Sequence, residues 1–119
     1  NHLQGLPEAI GELAQLEVLD LRDNEIASLP STFCHLQQLE KLVLNENKLT
    51  ELPMVVAQLQ NLEYLALEQN QLQQLPESLI QLKKLRVLKL ARNNFSDKEK
   101  DRIQQMFAQH IQLNIEGLN

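Results

Sequence analysis

Apolar positions recur along the chain on a short and a long rhythm. Leu19 and Leu21 alternate with Asp20, the period-two pattern of a brief half-buried strand whose leucines point inward. Ile26 and Leu29 then turn back toward the same interior. Pro30 fixes the backbone where a returning segment begins, and Phe33 and Leu36, three apart, take the inner side of a helical or 3₁₀ turn. The block then restarts: Leu16 to Asn24 returns in outline at Leu39 to Asn47, Leu62 to Asn70 and Leu85 to Asn93. Asn1, Asn24, Asn47, Asn70 and Asn93 follow one another at intervals of 23 residues. A fixed period of this size predicts a solenoid in which every unit stacks its leucines on both neighbours.

Within a unit, the asparagine closes the strand with an amide that both donates and accepts. It can therefore satisfy the backbone groups that a bending chain leaves unpaired. Stacked, Asn24, Asn47, Asn70 and Asn93 are expected to form an internal polar ladder. All four prolines follow a leucine, at Leu6-Pro7, Leu29-Pro30, Leu52-Pro53 and Leu75-Pro76. The unit LxxLxLxxNxLxxLPxxΦxxLxx, with Φ apolar, resembles the leucine-rich repeat family over Asn1 to about Phe95. Its 23-residue Leu-Pro form is similar to the repeats of Ras-associated intracellular plant and animal proteins and of many bacterial proteins. It differs from the 20-residue units of secreted bacterial ubiquitin ligases. The resemblance implies an α/β solenoid, curved, with a parallel sheet on the concave face and short helical or 3₁₀ segments on the convex face. It also implies protein–protein recognition without a cofactor.

The pattern changes after Asn93. Phe95 keeps the core position of Leu49 and Leu72, but the following residues lack Leu-Pro and become charged. Ser96 and Glu99 have capping-box spacing, which predicts a helix from Asp97 with the Ser96 hydroxyl on the Glu99 amide and the Glu99 carboxylate reaching back. Ile103, Met106, Phe107 and Ile111 give that helix one apolar stripe, and Lys98, Lys100, Arg102 and Gln105 are expected outward. Leu113 and Ile115 alternate as a final edge strand before Gly117. Residues 96–119 thus read as a cap on the repeats of residues 1–95, within one domain. This ending resembles the terminal caps of bacterial leucine-rich-repeat proteins and is expected to be a C-terminus. No matching N-terminal cap is visible. Leu3, Leu6, Ile10 and Leu13 are left in an exposed first layer through which the chain could self-associate.

Composition narrows the partners. Of 119 residues, 43% are hydrophobic and the net charge is −5, which argues against nucleic acid or an anionic membrane as the main partner. No apolar run approaches the roughly 20 residues that span a bilayer. The single cysteine, Cys34, excludes an internal disulfide, so a reducing cytoplasm is favoured, with a secreted bacterial protein as the alternative. No nucleophile is matched with both a base and an orienting partner, the one basic neighbour of Cys34 being His35; the glycines are isolated, and His2, His35 and His110 fall in three separate repeats. No catalytic, metal or cofactor site is therefore expected, and the histidines and Cys34 are assigned to surface or packing.

The information lies in the outward strand positions, where packing does not dictate the residue. These are Glu17, Val18, Asp20, Arg22 and Asp23; Glu40, Lys41, Val43, Asn45 and Glu46; Glu63, Tyr64, Ala66, Glu68 and Gln69; and Arg86, Val87, Lys89, Ala91 and Arg92. Three sets are net acidic and the fourth is net basic, which predicts an acidic face with a basic end. Tyr64, near the centre, is the expected anchor, because tyrosine concentrates at interface hot spots. The functional expectation is a module that binds a basic protein or peptide on this face. Two alternatives are a recognition segment of a larger kinase, GTPase or ligase lying N-terminal to Asn1, and a self-assembling structural module. Met54, Val55 and Ile80 suggest a second, convex contact surface.

Overall fold

The computed structural model describes residues 3–110 and 112–118. Asn1, His2 and Ile111, which carried expectations above, lie outside the described residues. Five three-residue strands, β1 (Val18–Asp20), β2 (Lys41–Val43), β3 (Tyr64–Ala66), β4 (Val87–Lys89) and β5 (Asn114–Glu116), form one parallel sheet in chain order. Four 3₁₀ turns, Glu8–Glu12, Ser31–His35, Met54–Gln58 and Glu77–Gln81, make the returning side, and the helix α1 spans Asp97–Met106. The chain is a leucine-rich-repeat solenoid.

Each repeat folds for the same local reasons. The proline before every 3₁₀ turn sits at φ between −58° and −71°, the value its ring imposes, and so sets the entry of the turn without needing a hydrogen-bond donor. The third turn residue then faces the core: Phe33, Val56 and Leu79 are fully buried, as are Leu36 and Leu59 just beyond. On the strand side Leu42, Leu65 and Leu88 stack directly on one another through the register Leu42↔Leu65↔Leu88. The backbone ladder repeats as well, Leu21, Leu44, Leu67 and Leu90 donating to Val43, Ala66, Lys89 and Glu116 at 2.8–2.9 Å.

The asparagine ladder is internal. Asn47 Oδ1 accepts from the Ile26 amide at 3.0 Å, while its Nδ2 donates to the carbonyls of Leu21 and Leu44 at 3.0 and 3.1 Å. Asn70 does the same to Leu49, Leu44 and Leu67, and Asn93 to Leu72, Leu67 and Leu90. Each amide thereby ties its own turn to the preceding repeat. The residue before each asparagine, Asp23, Glu46, Gln69 or Arg92, is driven to φ of 58–61°. A side chain in this left-handed region costs on the order of 1 kcal/mol, offset here by the three or four hydrogen bonds that the following asparagine makes.

The segment after Asn93 bears out the helix and its Ser96 cap, since Ser96 Oγ accepts from the Glu99 amide at 3.1 Å. The reciprocal half of the capping box does not form. The Glu99 carboxylate instead turns inward, accepting from the Leu75 amide at 3.1 Å and from Arg102 at 2.8 Å. A buried backbone N–H of the last repeat outcompetes the helix's own first turn for this acceptor. Arg102, expected to point outward, folds back for the same reason and donates to the Leu75 carbonyl. His110 Nε2 lies 3.1 Å from the Ile80 carbonyl, its ring edge-on to Phe107. Ile103 and Phe107 are buried, as expected.

The Arg102 hydrogen bonds, joined by the Leu75 amide, hold the Glu99 carboxyl below its ordinary pKa of 4.5 against the opposing effect of burial. A depressed folded-state pKa contributes stability that is present above 4.5 and is lost as pH falls through the folded value. Glu99→Gln should therefore lower the urea midpoint at neutral pH, and its deficit should shrink once pH drops below 4.5. A deficit that stays constant to acid pH would show that the carboxylate charge plays no part in holding the helix.

Candidate functional site

Register aligns the outward side chains into rows. One row is Val18, Lys41, Tyr64, Val87 and Asn114, and the next is Asp20, Val43, Ala66, Lys89 and Glu116. Tyr64 stands at the middle of the first. Lys41 Nζ lies 4.7 Å from its ring centroid and Lys89 Nζ 5.6 Å, so two ammonium groups flank one aromatic ring. Lys89 also approaches Glu116 at 3.9 Å. Tyr64 first, and Glu116 after it, hold the Lys89 pKa above its usual 10.5, so this ammonium is charged at any physiological pH.

The charges sort by height on the face. Along the strand entries Glu17, Glu40 and Glu63 stand one per repeat, and among the described residues their carboxylates make no ion pair or side-chain hydrogen bond, although their backbones join the ladder. Neighbouring members stand on adjacent strands about 4.8 Å apart, close enough for mild repulsion. Arg86 continues this row with the opposite sign. At the strand exits the groups are engaged with one another. Asp20 holds Arg22 at 3.0 Å and accepts from its amide at 3.2 Å. Asn45 accepts from the Glu68 amide at 2.7 Å. Gln69, with its amide nitrogen toward Glu46, donates to that carboxylate at 2.8 Å and accepts from Arg92 at 3.0 Å.

The outward strand positions share this face, with differences in reach. Val18 is 56% exposed, whereas Val43 and Ala66 are 7% and 1% exposed. The latter two form a floor beneath longer neighbours and offer a partner little surface. The basic end is also less free than its composition implies, because β5 sets Glu116 next to Lys89. Asn114 and Glu116 belong to the face and were missed. On the opposite side Met54 is 63% exposed, while Val55 and Ile80 pack against the core. The expected convex patch thus reduces to Met54, beside a groove of about 320 Å³ lined by Leu29, Leu52, Pro53, Leu75 and Pro76.

Among the described residues no group of three or more histidine, cysteine or acidic side chains is arranged to hold a metal ion, and no helix is long and apolar enough to cross a membrane. What the face offers is a shallow field of paired and unpaired charges around one aromatic ring. Residues 1–113 match the leucine-rich repeat region family, and the chain belongs to it. A leucine-rich-repeat protein of Leptospira interrogans is 39% identical, with a TM-score of 0.90 over 98% of this chain and 29% of that one. An internalin of Listeria monocytogenes shares the fold at 21% identity, with a TM-score of 0.76 over 94% of this chain and 31% of its own. The chain therefore spans less than a third of either structure's length. No curated protein matches it significantly. The family supports a protein-interaction module, and none of these comparisons indicates a catalytic family.

Proposed function

We propose that this chain is a recognition module that binds an extended segment of a partner protein on the concave sheet face around Tyr64. Residues 1–95 supply the repeats, and residues 96–119 cap them within the same unit. The observation that carries this reading is the half-buried Tyr64 between Lys41 and Lys89, beside a row of carboxylates with no side-chain partner among the described residues. Charges left unpaired on a rigid sheet cost little in water and become directional when a complementary chain covers them. The acidic row favours a partner with basic residues.

The test is a selection of ligands from a random dodecapeptide display library on the intact chain. For the peptides recovered, Tyr64→Ala should weaken binding by about 1–3 kcal/mol, as loss of a central anchor does, with the urea midpoint nearly unchanged. Glu40→Lys with Glu63→Lys should slow association and reduce its salt dependence. Gln58→Lys with Gln81→Lys, on the returning side, should have no effect. If that last pair abolished binding while the Tyr64 and glutamate variants bound normally, the concave-face reading would be lost and the Met54 groove would replace it.

The first layer favours a second reading. Leu3 and Leu13 are 48% and 51% exposed in the first layer, which supports self-association of this chain through that end. Sedimentation equilibrium checks this directly. A mass that rises with concentration for the native chain but not for Leu13→Lys would support it, and a constant monomer mass would dismiss it.

A further inference from the structure

Two features of the face lie at a fixed spacing. The free row Glu17, Glu40 and Glu63 stands just before the strands. The two ammonium groups around Tyr64 come from consecutive outward positions, Lys41 in the first row and Lys89 in the second. On the backbone the positions of Lys41 and Lys89 average to the level of Leu42 and Leu65, two residues beyond Glu40 and Glu63 along the strands. At about 3.3 Å per strand residue, that separation is roughly 7 Å. It is also the distance between side chains i and i+2 on one face of an extended chain.

We propose that the face reads a basic-x-acidic triplet in an extended partner segment running along the strands, with the acidic side chain seated between Lys41, Lys89 and the Tyr64 ring and the basic one on the Glu40–Glu63 row. This rests on the concave-face reading above and makes it more specific. A uniformly basic partner would place its second cation against two lysines already held beside an aromatic ring, so like-charge repulsion selects against it. A carboxylate there meets Lys41, which makes no ion pair among the described residues, and competes with Glu116 for Lys89, whose existing contact of 3.9 Å is long. The centre of the face is thus cationic inside a molecule whose net charge is −5.

The dodecapeptides selected on the intact chain provide the test through their sequences. Peptides from the native chain should be enriched in Lys or Arg two positions from Asp or Glu. Replacing the acid in one of them should weaken binding at least about tenfold, equivalent to 1.4 kcal/mol. Reselection on the folded double variant Lys41→Glu/Lys89→Glu should recover basic-x-basic peptides instead. Val87→Arg, which obstructs the same face beside Tyr64, separates the outcomes. Peptides that lose binding to Val87→Arg yet show no acidic preference, or the same preference on the charge-reversed variant, overturn the triplet and leave the concave-face reading standing. Peptides indifferent to Val87→Arg overturn the concave-face reading itself. A selection that enriches nothing overturns the triplet, since the chain then lacks the short-segment specificity claimed for it.

Discussion

Asn70→Ala is expected to destabilise the chain by about 3–5 kcal/mol, because it strands several buried backbone groups together, each worth roughly 1–3 kcal/mol when left unsatisfied. The asparagine is 6% exposed. Its Oδ1 accepts from the Leu49 amide at 3.1 Å, and its Nδ2 donates to Leu44 and Leu67 carbonyls at 2.9 and 3.1 Å and to Glu68 at 3.3 Å. These bonds cross between repeats, so their loss weakens the interface between two units and not only one turn. The same turn also holds Gln69 at φ 58°, a conformation that loses its support with the asparagine. Asn45→Ala is the comparison. Asn45 was expected to be a free outward residue, but it is half-buried and accepts from the Glu68 amide, so it should cost about 1 kcal/mol, the worth of an ordinary hydrogen bond. Urea denaturation of the three proteins checks the order. Equal midpoints for Asn70→Ala and Asn45→Ala would show that the inner ladder does not tie the repeats together.

The ladder illustrates what the sequence reveals and what it conceals. Period, strand alternation, turn prolines and inner asparagines are legible because packing imposes them identically in each repeat, so every one is stated four times. Side-chain pairings on the face are not repeated and depend on register. Where the 23-residue period holds, register follows by counting: Lys41 falls beside Tyr64, and Tyr64 beside Val87. The helix breaks the count. Lys89 lies beside Glu116, 27 positions later, because the cap inserts four residues more than a repeat would; counting by period would have put Gln112 there. Asn114 and Glu116 were therefore invisible as face residues, although their alternation with Ile115 identified a strand. Arg102 misled for a different reason. Helical position assigns its Cα to the outer side, but a long guanidinium can reach back to a carbonyl that would otherwise be buried alone.

A chain ending at Phe95 should fail to persist as a stable monomer, since α1 and β5 cover the final layer of the solenoid. Ile103, Phe107 and Leu118 are 0%, 5% and 7% exposed, and full burial of such a side chain is worth about 1.5–3 kcal/mol. Three of them amount to about 5–9 kcal/mol. To this are added the bonds from Leu90 to Glu116 and from Asn114 to Arg86, both at 2.8 Å, and the Glu99–Arg102 clamp on Leu75. A domain of this size has a total stability of only about 5–15 kcal/mol, so loss of this layer is expected to be felt by the whole chain. Its removal opens Leu85, Leu88 and Leu90 together with the unpaired edge of β4, an apolar layer and a row of free amides presented side by side. Association or unfolding is the expected result, seen as an increased sedimentation mass or as lost cooperativity in urea. Glu99→Gln, which keeps the layer covered but weakens the clamp, should remain monomeric with a lower midpoint. If the truncated chain instead stayed monomeric with an undiminished midpoint, the helix and β5 would not be a cap at all, and the repeats before Phe95 would be stable without them.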